Sequence, residues 1–76
     1  MPTVFMIYGF RFYFYSNEES RMHIHIQQHH RRAKIWLDTM EFASNNGFPE
    51  HDLFKIKRLV RKNEEKFKKA WKAYFR

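Results

Sequence analysis

Between residues 21 and 37 the chain reads RMHIHIQQHHRRAKIWL, with apolar and polar positions alternating on both sides of a polar centre. Successive side chains of a strand point to opposite faces. Met22, Ile24 and Ile26 therefore share one face, and Arg21, His23, His25 and Gln27 share the other. On the return, Ala33, Ile35 and Leu37 form the apolar set while Lys34 and Trp36 face away. The pattern predicts a hairpin turning near residues 28–31, with His23, His25, Lys34 and Trp36 gathered opposite its apolar side.

Residues 3–15 are rich in β-branched and aromatic types and are interrupted by Gly9, which predicts two tightly joined strands or one strand bent at a bulge. Phe10, Phe12 and Phe14 alternate with Arg11, Tyr13 and Tyr15. The phenylalanines belong to the core, because a guanidinium or phenol buried without a partner is costly. Residues 16–20, SNEES, read as a polar turn, and residues 40–43 as a short further strand. Asn45, Asn46 and Gly47 read as a turn, since Asn and Gly tolerate left-handed backbone.

Pro49 suits a first helical turn, and Glu50 and Asp52 place negative charge at the positive end of the helix dipole. Leu53, Ile56, Val60, Asn63, Phe67, Ala70 and Tyr74 then recur at three- and four-residue intervals, with Leu59 and Trp71 widening the stripe. The expected fold is α+β, a single domain over residues 1–76. It has a small antiparallel sheet of four to five strands, followed by one long C-terminal helix packed on its phenylalanine face. Asn63 is the one polar residue in the stripe, and a kink there, capping a second helix, is the alternative.

Charge changes this picture more than composition does. Residues 55–76 hold ten basic and two acidic residues, whereas residues 1–54 hold five basic and six acidic. The positive field thus belongs to the helix, where Lys55, Arg58, Lys62, Glu65, Lys69, Lys72 and Arg76 recur opposite the apolar stripe. Phosphate backbones, anionic membranes or acidic proteins are its natural partners. A solvated face, helped by Glu64–Lys68 and Glu65–Lys69 pairs, is the plainer reading. A membrane role is disfavoured because the apolar side of the helix is needed for the core. The chain contains no cysteine, so nothing suggests a disulfide framework, and a reducing cytoplasm is the simplest setting. The N-terminal stretch MPTVFMIYGF reads as neither a signal peptide nor a membrane span.

The face opposite the phenylalanines collects Arg11, Tyr13, Tyr15, His23, His25, Lys34 and Trp36. Aromatic rings stack on unpaired bases and cations meet phosphates, so this face is a candidate RNA surface. A protein interface is an equally consistent reading of exposed aromatic residues. His23 and His25 can be ordinary strand histidines, or they can serve as acid and base in metal-free RNA cleavage with Arg11 or Lys34 stabilising the charged transition state. No cofactor is implied, and a metal site is the weaker idea because no Cys or carboxylate lies at a recognisable ligand spacing. Arg31 and Arg32 in the basic turn read as phosphate contacts.

Five segments, MPTVFMIYGFRFYFYSNEE, His23-x-His25, AKIWLD, the NGF turn and RLVRKNEEKFKKAWKAYF, together resemble the small bacterial family called domain of unknown function 4160. His23, His25, Trp36 and Trp71 carry over to it. Two features depart from the family pattern. Arg21-Met22 stands where family members usually have proline before the first strand histidine, and residues 27–32 form a basic turn where Gly and acidic residues are usual. The resemblance implies a sheet followed by helix, in a cytoplasmic interaction module that is a candidate member of a toxin and antitoxin pair encoded beside a short partner; together with the basic helix, it leads to the expectation of a toxin bound by a small acidic protein. Homo-oligomers through a sheet edge are compatible with that layout.

Overall fold

The computed structural model describes residues 3–14 and 21–74. Five strands, β1 (Thr3–Ile7), β2 (Phe10–Tyr13), β3 (His23–Gln28), β4 (Arg31–Trp36) and β5 (Phe42–Asn46), pair antiparallel in sequence order. Two helices follow, α1 (Glu50–Lys62) and α2 (Glu64–Tyr74). Gly9 marks a tight turn between two strands: Ile7 pairs with Phe10, and Tyr8 and Gly9 both have positive φ, 52° and 81°. That pair of angles matches the hairpin turn whose twist suits flanking strands, normally an Asn-Gly turn. Residues 16–20 lie outside the described residues.

The central hairpin has the register that its alternation implies, with His23 opposite Trp36, Ile24 opposite Ile35 and His25 opposite Lys34. Residues 29 and 30 form the turn, and His29 takes the left-handed conformation at φ 56°. Beyond β4, the Met40 amide donates to the Trp36 carbonyl and the Trp36 amide donates to the Glu41 carbonyl. Met40 itself is buried in the core, so the last strand begins at Phe42 and runs to Asn46 instead of covering residues 40–43. Asn45 and Asn46 belong to that strand. The Asn45 side chain closes the following loop, donating to the Phe48 carbonyl (3.0 Å) and accepting from the Phe48 amide (3.1 Å). Gly47, at φ 99°, supplies the left-handed residue of the loop.

Phe10, Phe12, Phe14, Ile24, Ile26, Ala33, Ile35 and Leu37 form the buried side of the sheet, and Ile56, Leu59, Val60, Phe67 and Trp71 cover it. Phe67 meets Phe12 at 5.2 Å and Phe5 at 6.0 Å between ring centroids, so α2 lies over the β1–β2 end of the core. The helical segment is divided, not continuous. At Asn63 (φ −110°, ψ 22°) the backbone leaves helical geometry, and the side-chain Nδ2 donates to the Leu59 carbonyl at 2.9 Å. An amide that satisfies the terminal carbonyls of one helix offers local bonding in place of continued helix. Asn63 thus uses its side chain to finish α1, while its carbonyl accepts the Phe67 amide of α2. Lys68 pairs with Glu64 as the four-residue spacing predicts, whereas Glu65 and Lys69 form no pair among the described residues.

Candidate nucleic-acid interface

Two surfaces carry the residues singled out by the sequence. On the sheet face away from the phenylalanines, cross-strand pairing brings Arg11, Tyr13, His25, His23, Lys34 and Trp36 into one continuous strip. The Arg11 guanidinium lies 4.9 Å from the centre of the Tyr13 ring, and Tyr13 stacks on His25 at 5.3 Å with 22° between the planes. His25 meets His23 edge-on at 5.0 Å, and His23 meets Trp36 edge-on at 5.7 Å. Arg21 and Lys34 both lie over Trp36, at 4.1 and 4.5 Å from the ring centre. Cation and ring contacts of this kind contribute ~0.5–1 kcal/mol each at exposed sites, so members of the strip help to hold one another in place.

The strip is less open than alternation alone implies. His23 is 0% exposed and Tyr13 1%. Trp71 of α2, far along the chain, contacts His23 at 4.9 Å and also meets Phe14 edge-on at 5.3 Å. Trp71 therefore reaches the phenylalanine side and the histidine side at the same end of the sheet. His23 Nδ1 lies 2.7 Å from the Arg21 carbonyl. A carbonyl can only accept, so Nδ1 is the donor of this bond. A general acid or base must come within hydrogen-bond reach of the proton it moves, and His23 has no solvent-facing surface from which to do so. His25, Arg11, Lys34 and Trp36 are half-buried and remain at the surface. Tyr15 lies outside the described residues.

Arg21 organises one end of the strip. Its Nε and Nη2 donate to the two carboxylate oxygens of Asp38 at 3.0 and 3.1 Å, and hydrogen bonding to Arg21 holds the Asp38 carboxyl below the usual aspartate value. Arg31, expected as a phosphate contact in the basic turn, reaches Asp52 of α1 at 3.4 Å. Its side-chain stem also packs where Gly47 leaves room, since a Cβ on Gly47 would lie 3.2 Å from Arg31 Cγ. Arg31 is therefore a tie between the hairpin turn and the start of α1, and Arg32 is the exposed cation of that turn.

The second surface is the outer side of α1. Lys55, Arg58 and Lys62 are exposed, as their helical spacing predicts, and so is Arg61. Lys57 is half-buried. Among the described residues none of these five forms an ion pair. Lys69 and Lys72 are also exposed but belong to α2, beyond the break at Asn63. Two exposed aromatic residues accompany the α1 cations and escape pattern reading. Phe54 is 64% exposed, and Tyr8, in the β1–β2 turn, is 73% exposed. The signal available for Phe54 is its place at helical spacing from Arg58 and Arg61, outside the apolar stripe. Arg76 lies outside the described residues.

No group of three or more metal-ligating side chains comes together among the described residues, and no helix is long and apolar enough to cross a membrane. Comparison with curated proteins and with solved structures finds no match in either case. The model of a family described as domain of unknown function (DUF4160) matches residues 9–72, which include the histidine strand, the tryptophan strand, α1 and α2 as far as Lys72. With most of its length matched, the chain belongs to the DUF4160 family.

Proposed function

We propose that this chain is the RNA-directed member, the toxin, of a bacterial toxin and antitoxin pair, and that it acts on RNA or the translation machinery by binding. The observation that carries this reading is the set of α1 cations, Lys55, Lys57, Arg58, Arg61 and Lys62, with no ion-pair partner among the described residues. Cations of one sign along a helix favour a polyanion, because each phosphate they neutralise releases a condensed counterion. Lys69 and Lys72 of α2 add exposed cations beyond the break at Asn63, Arg32 and Lys34 add cations on the separate sheet face, and a small acidic partner would compete for the same groups.

Binding without catalysis is favoured by the burial of His23, which removes one of the two imidazoles that cleavage would need at the surface. The test is fluorescence anisotropy of a labelled RNA at increasing salt, together with growth of a bacterial host expressing the chain. Salt-sensitive binding and slowed growth, both abolished in Lys55→Glu/Lys62→Glu, are the expected results. Absence of RNA binding at low salt would sink the reading.

A further inference from the structure

Tyr8 and Phe54 stand beside two adjoining grooves on the outer side of α1. One groove, of about 310 Å³, is lined by Phe54, Lys57, Arg58 and Arg61. The other, of about 340 Å³, is lined by Tyr8, Lys55, Arg58, Leu59 and Lys62. Each groove thus has one exposed aromatic ring and three cations, and Arg58 belongs to both. Among the described residues neither ring takes part in an aromatic or cation–ring contact. The rings of Tyr13 and Trp36, by contrast, already pack against side chains of this chain.

Tyr8 adds an independent observation. Its φ of 52° lies in the left-handed region, where a bulky side chain is strained and Asn or Gly is favoured. The strained position holds the ring out in solvent, where it contributes little to the core. Strain retained at an exposed side chain points to a use for that side chain.

We infer that Tyr8 and Phe54, on either side of Arg58, form a two-base stacking site for an unpaired RNA strand, with Arg58, Lys55 and Lys62 on its phosphates. The alternation of ring, cation and ring matches the alternation of base and phosphate, and base stacking on aromatic rings tolerates any base. A second copy of the chain would bring like charges together. An apolar protein surface or a lipid interior would need a continuous apolar patch, and here Arg58 divides the two rings. The inference rests on the RNA-binding reading and names the site within it.

The experiment measures affinity of the full chain for a labelled oligouridine and for an RNA duplex, using wild type, Tyr8→Asn and Phe54→Ala. Each substitution is expected to weaken oligouridine binding about five-fold or more, with duplex affinity and the salt slope unchanged because no charge is removed. The thermal midpoint of Tyr8→Asn should equal or exceed that of wild type, which excludes unfolding as the cause. Wild-type affinity for oligouridine in both variants, or equal weakening on oligouridine and duplex, would overturn the stacking site while leaving RNA binding in place. If wild type binds neither RNA, the functional reading and the stacking site fall together.

Discussion

The Arg21 guanidinium lies 4.1 Å from the centre of the Trp36 ring and is held there by two hydrogen bonds to Asp38. Asp38 has its pKa lowered chiefly by the hydrogen bond from Arg21, so the pair favours the ionised carboxylate. Its contribution to stability is fully present above the ordinary aspartate value of about 4 and is lost as pH falls through the lowered folded value. Acid titration followed by tryptophan fluorescence is expected to show a transition below that pH as Arg21 leaves Trp36. The transition should be absent in Asp38→Asn, and its persistence there would assign it to another carboxylate.

His23→Ala is expected to act on stability before anything else. The side chain is fully buried, contacts Trp36 and Trp71, and hydrogen-bonds the Arg21 carbonyl. Removing it leaves a cavity and an unpaired carbonyl, at a cost of roughly 2–4 kcal/mol. Urea denaturation measures this directly. A variant as stable as wild type would show that the Trp71 contact does not close that end of the sheet. Growth assays on histidine variants therefore need a matched stability measurement.

Phe67 is 0% exposed and packs against both Phe5 and Phe12. Phe67→Ala should cost about 3–5 kcal/mol, a large fraction of the total stability of a domain this small. The expected result is a chain unfolded or nearly so at 37 °C, read by far-ultraviolet circular dichroism. Phe54→Ala, on the exposed side of α1, serves as the control and should stay folded.

Charge removal on α1 should be legible in the salt dependence of RNA binding. On a single strand, every phosphate left without its cation lowers the slope of log affinity against log salt by ~0.7. Arg58→Ala is therefore expected to reduce the slope by about that amount, whereas Arg31→Ala should leave it nearly unchanged because Arg31 is held against Asp52. A larger slope change for Arg31→Ala would place the RNA on the hairpin turn.

The sheet is readable in sequence because alternation has a period of two and the two residue sets differ sharply. Ile24, Ile26, Ala33 and Ile35 are all buried on one side, with His25 and Lys34 on the other. The turn before α1 lies further along than its composition predicts, because Asn45 closes it with its side chain from within a strand, a device that looks like ordinary turn composition in sequence. The burial of His23 is not readable from alternation, and one of its ring contacts, Trp71, lies 48 residues further along the chain. Asn63 stands out in sequence as the weak point of the helix. Periodicity leaves open whether its amide begins the second helix or finishes the first, and the Leu59 carbonyl is its partner.

The strand order has a consequence for synthesis. Every strand pairs with its neighbour in the chain, so the sheet requires only short-range closures of the kind that form fast. Phe67 and Trp71, which cover its apolar side, lie in the last helix. On a translating ribosome the meander would be assembled while Phe12 and Phe14 still lacked their cover. Until α2 had emerged from the exit tunnel, the nascent chain would present the Phe12 and Phe14 end of the sheet uncovered to chaperones and to neighbouring chains.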